Sequence, residues 1–262
     1  MTERPFAGDT ARFYRRYRRE YPPELIARLA RFSESGRGRL LDLGCGTGQL
    51  ALQLARHFSE VVGIDPEPEM LREAELAAAE RGIGANVRWI IGRAEDLGRL
   101  EATLGRFDLV TIGTALHLME PLPTLGEVQR VAAGGEVAVA YNGSPMWLHP
   151  EPWARALRGV LEARLGTLDD IDFTAEALDG ADIAMRELGY SHIERWEHRF
   201  TEAIDADFVV GHILSATSTE QIPPGQREAF AQEVSKAMAA VTTSGRLVEE
   251  VSVRAVIGQA SQ

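Results

Sequence analysis

Three glycines at alternate positions, Gly44, Gly46 and Gly48, break an apolar run, with Asp42 two residues before the first and Asp65 closing the next apolar run. Glycines so spaced let a backbone turn sharply and approach a ligand without side-chain obstruction. A carboxylate at the end of the second strand suits a bidentate hydrogen bond to the two ribose hydroxyls of a nucleoside. A dinucleotide fingerprint would carry its third glycine where this chain has Gln49, so the pattern favours a nucleoside held without a pyrophosphate. His117 is the other group with chemical potential. Just past a strand, its imidazole can take a proton from a bound acceptor or hydrogen-bond locally and shape a pocket wall, and both readings stay open. Cys45, inside the glycine loop, reads as a small buried filler.

These residues need a scaffold, and short β-rich runs alternating with helical patterns from residue 39 onward supply one. RLLDL at 39–43, EVVGID at 60–65, NVRWII at 86–91, FDLVTI at 107–112 and EVAVAY at 136–141 read as five strands of a doubly wound α/β sheet. Helices are expected over 48–57, from Pro66 to Arg81 with Gly82 as the stop, and over 121–132 before Gly134. Beyond Asn142 the pattern predicts helices near 150–165, 174–188, 205–216 and 223–242, with strands at 191–200 and 248–257. The expected organisation is one domain over 1–262: a helical arm at 1–35, a cofactor-binding core at 36–142, and cap excursions at 143–190 and 203–245.

Composition narrows the function classes. The 262 residues are 45% hydrophobic and 26% charged, as in an ordinary globular chain, and the net charge of −11 repels a phosphate backbone. Residues 1–39 run the other way, with ten arginines against five acids. Interleaved with Phe13, Tyr14, Tyr17 and Tyr21, that patch suits an anionic ligand or, less well given the net charge, a nucleic acid. No run approaches the ~18 apolar residues of a membrane span, and MTERPFAGDT lacks the apolar core of a signal peptide, so a cytoplasmic protein is expected. The single cysteine excludes an internal disulfide, and no histidine spacing suggests a metal, so no metal site is expected.

LLDLGCGTG followed by VVGIDPEPEML closely resembles the first two motifs of the class I S-adenosylmethionine-dependent methyltransferases. FAGDTARFYRRYRREYPPELI resembles the N-terminal helix of the small-molecule members related to trans-aconitate methyltransferase, and GRAEDL (92–97) and GTALHLMEP (113–121) resemble the family's third and fourth cofactor contacts. The resemblance covers most of residues 5–142. It implies a seven-stranded, mostly parallel sheet with a helical cap, S-adenosylmethionine as cofactor, and a small-molecule acceptor. It also implies Gly44 and Gly46 beside the methionine portion, Asp65 on the ribose, Pro66 and Met70 on the adenine, and Ala94 and Glu95 at the adenine edge. Thr114 falls at the fourth contact, and Tyr14 and Arg18 would cover the cofactor carboxylate. Where the family has an acid that accepts from the adenine amino group, this chain has Arg93. Glu95 or Asp96 would replace it, Glu95 being favoured because neighbours in an extended segment face opposite ways. Tyr141, Asn142 and Trp147 are candidates for the acceptor pocket, and His117 for its base. The rival readings are an RNA methyltransferase, a nicotinamide enzyme and a non-catalytic cofactor-binding module.

Overall fold

Proline opens four of the helices, where its fixed φ fits the first turn and its missing N–H costs no intrahelical bond. They are α2 (Pro23–Ala30), α4 (Pro68–Glu80), α6 (Pro121–Val131) and α7 (Pro152–Leu165). The chain, in a computed structural model, is described at residues 6, 8–33, 37–132, 134–217, 221–242 and 246–261; parts of the expected arm and cap lie outside these. The other helices are α1 (Asp9–Tyr17), α3 (Gln49–Leu54), α5 (Leu97–Leu104), α8 (Phe173–Glu187), α9 (Ala206–Ala216) and α10 (Arg227–Val241). The strands are β1 (Arg39–Leu43), β2 (Glu60–Asp65), β3 (Val87–Ile91), β4 (Leu109–Gly113), β5 (Glu136–Asn142), β6 (Ser191–Ile204) and β7 (Leu247–Gln259). No helix among the described residues is long and apolar enough to cross a membrane.

The strands form one seven-stranded sheet in the order β3-β2-β1-β4-β5-β7-β6. The first five pair in parallel, and β7 runs antiparallel to β5, Ala138 opposite Ile257. Near-continuous apolar runs such as RLLDL are buried because helices cover both faces of such a sheet. The strand order reverses between β1 and β4, and in open α/β sheets ligands bind at the carboxyl ends of the strands flanking that reversal. The glycine loop leaves β1 at this point.

The chain divides into two compact units. The sheet unit comprises 19–143, 173–198 and 252–262, and its core joins Leu41, Val62, Val110 and Val137 to Leu125 and Val128 of α6. The helical unit comprises 1–18, 144–172 and 199–251, with its own core of Trp153, Leu157, Val209, Ile213, Phe230 and Val234.

This division corrects two boundaries. Residues 173–190, expected in the cap, belong to the sheet unit, because Ala177, Leu178, Ala181, Ala184 and Met185 make one apolar face of α8 and that face fills the sheet's core. The arm divides as well: α1 belongs to the helical unit and α2 to the sheet unit. The helix α5 has no counterpart in the sequence reading.

Gly63, mid-strand in β2, shows how tightly the sheet packs near the loop. A Cβ there would lie 2.5 Å from the Trp89 ring and 3.0 Å from Cys45 Sγ. Gly63→Ala is expected to cost about 1–3 kcal/mol by overpacking, read as a lower denaturation midpoint with altered Trp89 fluorescence. An unchanged midpoint would show that the indole moves aside freely.

Candidate active site

The glycine loop starts where β1 ends, and each of its three glycines has a left-handed backbone: φ is 66° at Gly44, 53° at Gly46 and 83° at Gly48. Side chains are disfavoured there on conformational grounds alone. At Gly44 space forbids one too, since a Cβ would sit 2.7 Å from that of Ala115. The loop amides turn inward. Gly44 and Cys45 donate to Ile64 O at 2.8 and 3.0 Å, Gly48 donates to Cys45 O at 2.9 Å, and Gly46 donates to Asp65 Oδ2 at 2.9 Å. A phosphate cradle does the opposite, aiming successive amides at the ligand.

Asp65 is 8% exposed, and its other oxygen accepts from the Glu67 amide at 2.9 Å. A carboxylate offers about four lone-pair positions, so each oxygen keeps one for a ligand hydroxyl. Burial raises the Asp65 pKa, against the pull of the Glu67 and Gly46 amides.

Asp42, deeper and 2% exposed, accepts from Thr111 Oγ1 at 2.7 Å and from the Ala51 amide of α3 at 3.2 Å. Burial pushes its carboxyl up to about 7; the two hydrogen bonds oppose the shift and the charge of Asp65 adds to it. The Cys45 thiol is buried, and burial with the nearby Asp65 and Asp42 charges holds it protonated, which removes it as a nucleophile.

Around this centre the expected contacts divide. Met70 is buried at the start of α4 while Pro66 is exposed, and Ala94 is buried while Glu95 is exposed. Asp96 accepts from the Arg93 amide at 3.0 Å and pairs with Arg99 at 2.5 Å, so it is engaged in capping its own turn. Thr114, just beyond β4, has φ 50°, an uncommon backbone for a β-branched residue. Its amide donates to Ala140 O at 2.7 Å, and its hydroxyl lies 3.0 Å from that of Tyr21, a buried residue.

His117 is exposed in a short turn after β4, and its position is set from below. Its amide donates to Tyr141 Oη at 2.9 Å, its Nδ1 lies 3.2 Å from the same oxygen, and its ring packs on Phe173 with centroids 4.7 Å apart. The expectation that Tyr141 lines a pocket is therefore corrected. It is 0% exposed and supports His117, because β5 is an inner strand covered on both faces. Phe173 escaped notice because its partner is 56 positions away. Asn142 donates through Nδ2 to Arg19 O and Glu20 O at 3.1 and 3.0 Å, and its Oδ1 is buried with no hydrogen-bond partner among the described residues. Tyr14, Arg18 and Trp147 belong to the helical unit, where the Trp147 indole N–H is likewise buried without a partner among the described residues.

Residues 40–135 match the family described as a methyltransferase domain. Over 104 residues the chain is 35% identical to the Saccharomyces cerevisiae protein CRG1, named as a probable S-adenosylmethionine-dependent methyltransferase; the match covers 40% of this chain and 35% of that protein. A match of the same identity and length joins it to the ubiquinone biosynthesis O-methyltransferase of Xanthomonas axonopodis pv. citri, covering 40% of each. The chain spans between about a third and a half of the curated relatives it matches. Among solved structures, the fold is shared with an S-adenosylmethionine-dependent methyltransferase of Thiobacillus denitrificans in complex with S-adenosyl-L-homocysteine. That likeness has a TM-score of 0.54 at 18% identity, over 98% of this chain and 99% of that one.

Sheet order and glycine loop thus define a Rossmann-like fold. Within it, residues 40–135 are similar to a methyltransferase domain.

Proposed function

We propose that the protein methylates a small-molecule acceptor, with S-adenosyl-L-homocysteine as the second product. The observation that carries the cofactor half is the pairing of the Gly46 amide with Asp65, which keeps the loop amides off any phosphate and leaves a buried carboxylate with acceptor capacity. That arrangement fits a nucleoside whose sugar hydroxyls need acceptors and whose remaining part carries no phosphate. The small-molecule half is supported by the net charge of −11, by the name of the ubiquinone biosynthesis relative, and by Asn142 Oδ1, a buried polar atom that a ligand can satisfy. A cytoplasmic location fits the single buried cysteine.

In this reading Asp65 takes the ribose hydroxyls, the Gly44–Gly46 backbone lies beside the methionine portion, and Pro66, Met70, Ala94 and Glu95 surround the adenine. Thr114 completes the cofactor wall. The cofactor supplies a methyl group on a positive sulfur, so the protein's tasks are alignment, exclusion of water and handling of one proton. His117 is the base in this reading. This role requires the tautomer in which Nδ1–H donates to Tyr141 Oη, leaving Nε2 as the basic ring atom that takes the proton of a hydroxyl or an activated carbon.

The cofactor reading is tested by thermal unfolding with S-adenosylmethionine, S-adenosylhomocysteine and NADH. Stabilisation by the first two is expected, about 2.7 kcal/mol at a hundredfold excess over Kd; stabilisation by NADH alone would overturn it. His117→Ala is expected to leave cofactor affinity unchanged and to slow turnover of a hydroxyl or carbon acceptor about a hundredfold. A wild-type rate would make His117 a wall.

A further inference from the structure

Residues 19–21 open the sheet unit and belong to no helix or strand, so their backbone groups need partners from elsewhere. Two side-chain amides take four of those groups. Gln53 of α3 holds Tyr21 from both sides, its Oε1 accepting from the Tyr21 amide at 3.0 Å and its Nε2 donating to Tyr21 O at 2.9 Å. Asn142 at the end of β5 holds the two residues before it, through the bonds from Nδ2 to Arg19 O and Glu20 O. A primary amide carries donor and acceptor on one flat group, so Gln53 pairs with the main chain as a neighbouring strand would.

The clamped segment follows the carboxyl edge of the sheet. Asn142 ends β5, Thr114 lies just past β4, and Gln53 sits one turn into the helix that the glycine loop opens, so the segment runs beside the point where the strand order reverses. The Tyr21 hydroxyl reaches Thr114, and Gly113 makes room for it, since a Cβ there would come within 2.9 Å of Tyr21 Oη. Downstream, Pro22 and Pro23 lead stiffly into α2, whose Leu25, Ile26 and Leu29 are buried, so that end is fixed. A left-handed threonine persists only where its surroundings hold it, and the Tyr21 hydroxyl is part of that hold on Thr114.

We propose that Gln53 and Asn142 are positioning residues for cofactor binding: they keep residues 19–21 closed as a strap along the sheet edge and, through Tyr21, keep Thr114 in place. The proposal rests on the reading of Thr114 as part of the cofactor wall. A clamp that only stabilised the fold would be indifferent to the ligand.

The test is hydrogen–deuterium exchange of the Tyr21 amide in the full chain, with and without saturating S-adenosylhomocysteine. Asn142→Ala removes two of the four bonds and leaves the Tyr21 amide on Gln53 as the reporter. In the free protein it is expected to speed exchange of that amide about tenfold. Saturating ligand is expected to return the rate to within about twofold of the ligand-bound wild type, because a ligand that needs the closed strap shifts it closed. Gln53→Leu removes the other two bonds and should weaken S-adenosylhomocysteine about three- to tenfold, as the closed fraction falls. If the ligand binds and Tyr21 exchange in Asn142→Ala ignores it, the positioning role falls and the cofactor reading stands. Exchange as slow in free Asn142→Ala as in the wild type would also overturn the clamp. If S-adenosylhomocysteine does not bind the wild type, the cofactor reading falls and takes the strap with it. Should Asn142→Ala unfold, Asn142→Asp keeps the size, turns an acceptor toward both carbonyls and is read by the same criteria.

Discussion

Asp42→Asn is expected to make the protein more stable at pH 8 and to flatten its stability between about pH 4 and 7. Asp42 sits under the glycine loop with its carboxyl pushed up to about 7, first by burial and then by the charge of Asp65. A carboxyl whose folded pKa exceeds its unfolded one binds its proton more tightly in the folded state. Stability is therefore highest below the unfolded value near 3.8 and declines as pH rises toward 7, where the folded state finally pays for ionisation. A difference of this size corresponds to something on the order of 4 kcal/mol. Asparagine never ionises and can keep both contacts, its oxygen accepting from the Ala51 amide and its amide donating to Thr111 Oγ1. The variant and the wild type should then have similar stability at pH 4 and diverge steadily above it, measured by denaturant titration at fixed pH steps. Parallel curves would mean that Asp42 ionises in the folded protein at an ordinary pH.

The frame around this site was legible because its signals are local. Glycines at alternate positions, prolines opening helices, and apolar runs ending in Asp42-Leu43 and in Asp65 all act within a few residues, and β1, β2, α4 and α6 fall within a few residues of where they were expected. Long-range packing was not legible in this way. Tyr141 looks like a pocket residue from its place at the end of β5, yet whether its hydroxyl meets solvent or His117 depends on what covers the strand. The bond between Arg18 and Ser215 spans 197 positions, and no periodicity encodes it. The helix α8 was placed with the cap because it follows a helical excursion in sequence; its Ala-rich face belongs to the sheet's core. Thr114 marks the limit, since a left-handed threonine is a feature no propensity would predict and only its surroundings, Ala140 O and Tyr21, account for it.

The largest functional effect is expected at Asp65. Asp65→Ala removes the acceptor of the Gly46 and Glu67 amides and, in the proposed reading, both ribose hydrogen bonds, while deleting little packing. Hydrogen bonds to a charged acceptor are worth about 1.5–3 kcal/mol each, so losing two should weaken S-adenosylhomocysteine by about a hundredfold or more. Asp65→Asn should fare little better: whichever way its amide is turned, an NH2 group meets either the Gly46 or the Glu67 N–H, donor against donor. The ribose contact is isolated by comparing 5′-methylthioadenosine with its 2′-deoxy form. The wild type should discriminate between them and Asp65→Ala should not, since the deleted partner can no longer tell whether the hydroxyl is there. Protonation gives a second reading without mutation. Burial raises the Asp65 pKa, so its acceptor capacity is lost at a pH above the usual aspartate range, and cofactor affinity should fall on acidification before the domain unfolds. If Asp65→Ala stays folded and still distinguishes ribose from deoxyribose, the sugar is held elsewhere, and the Gly46–Asp65 pair only closes the loop.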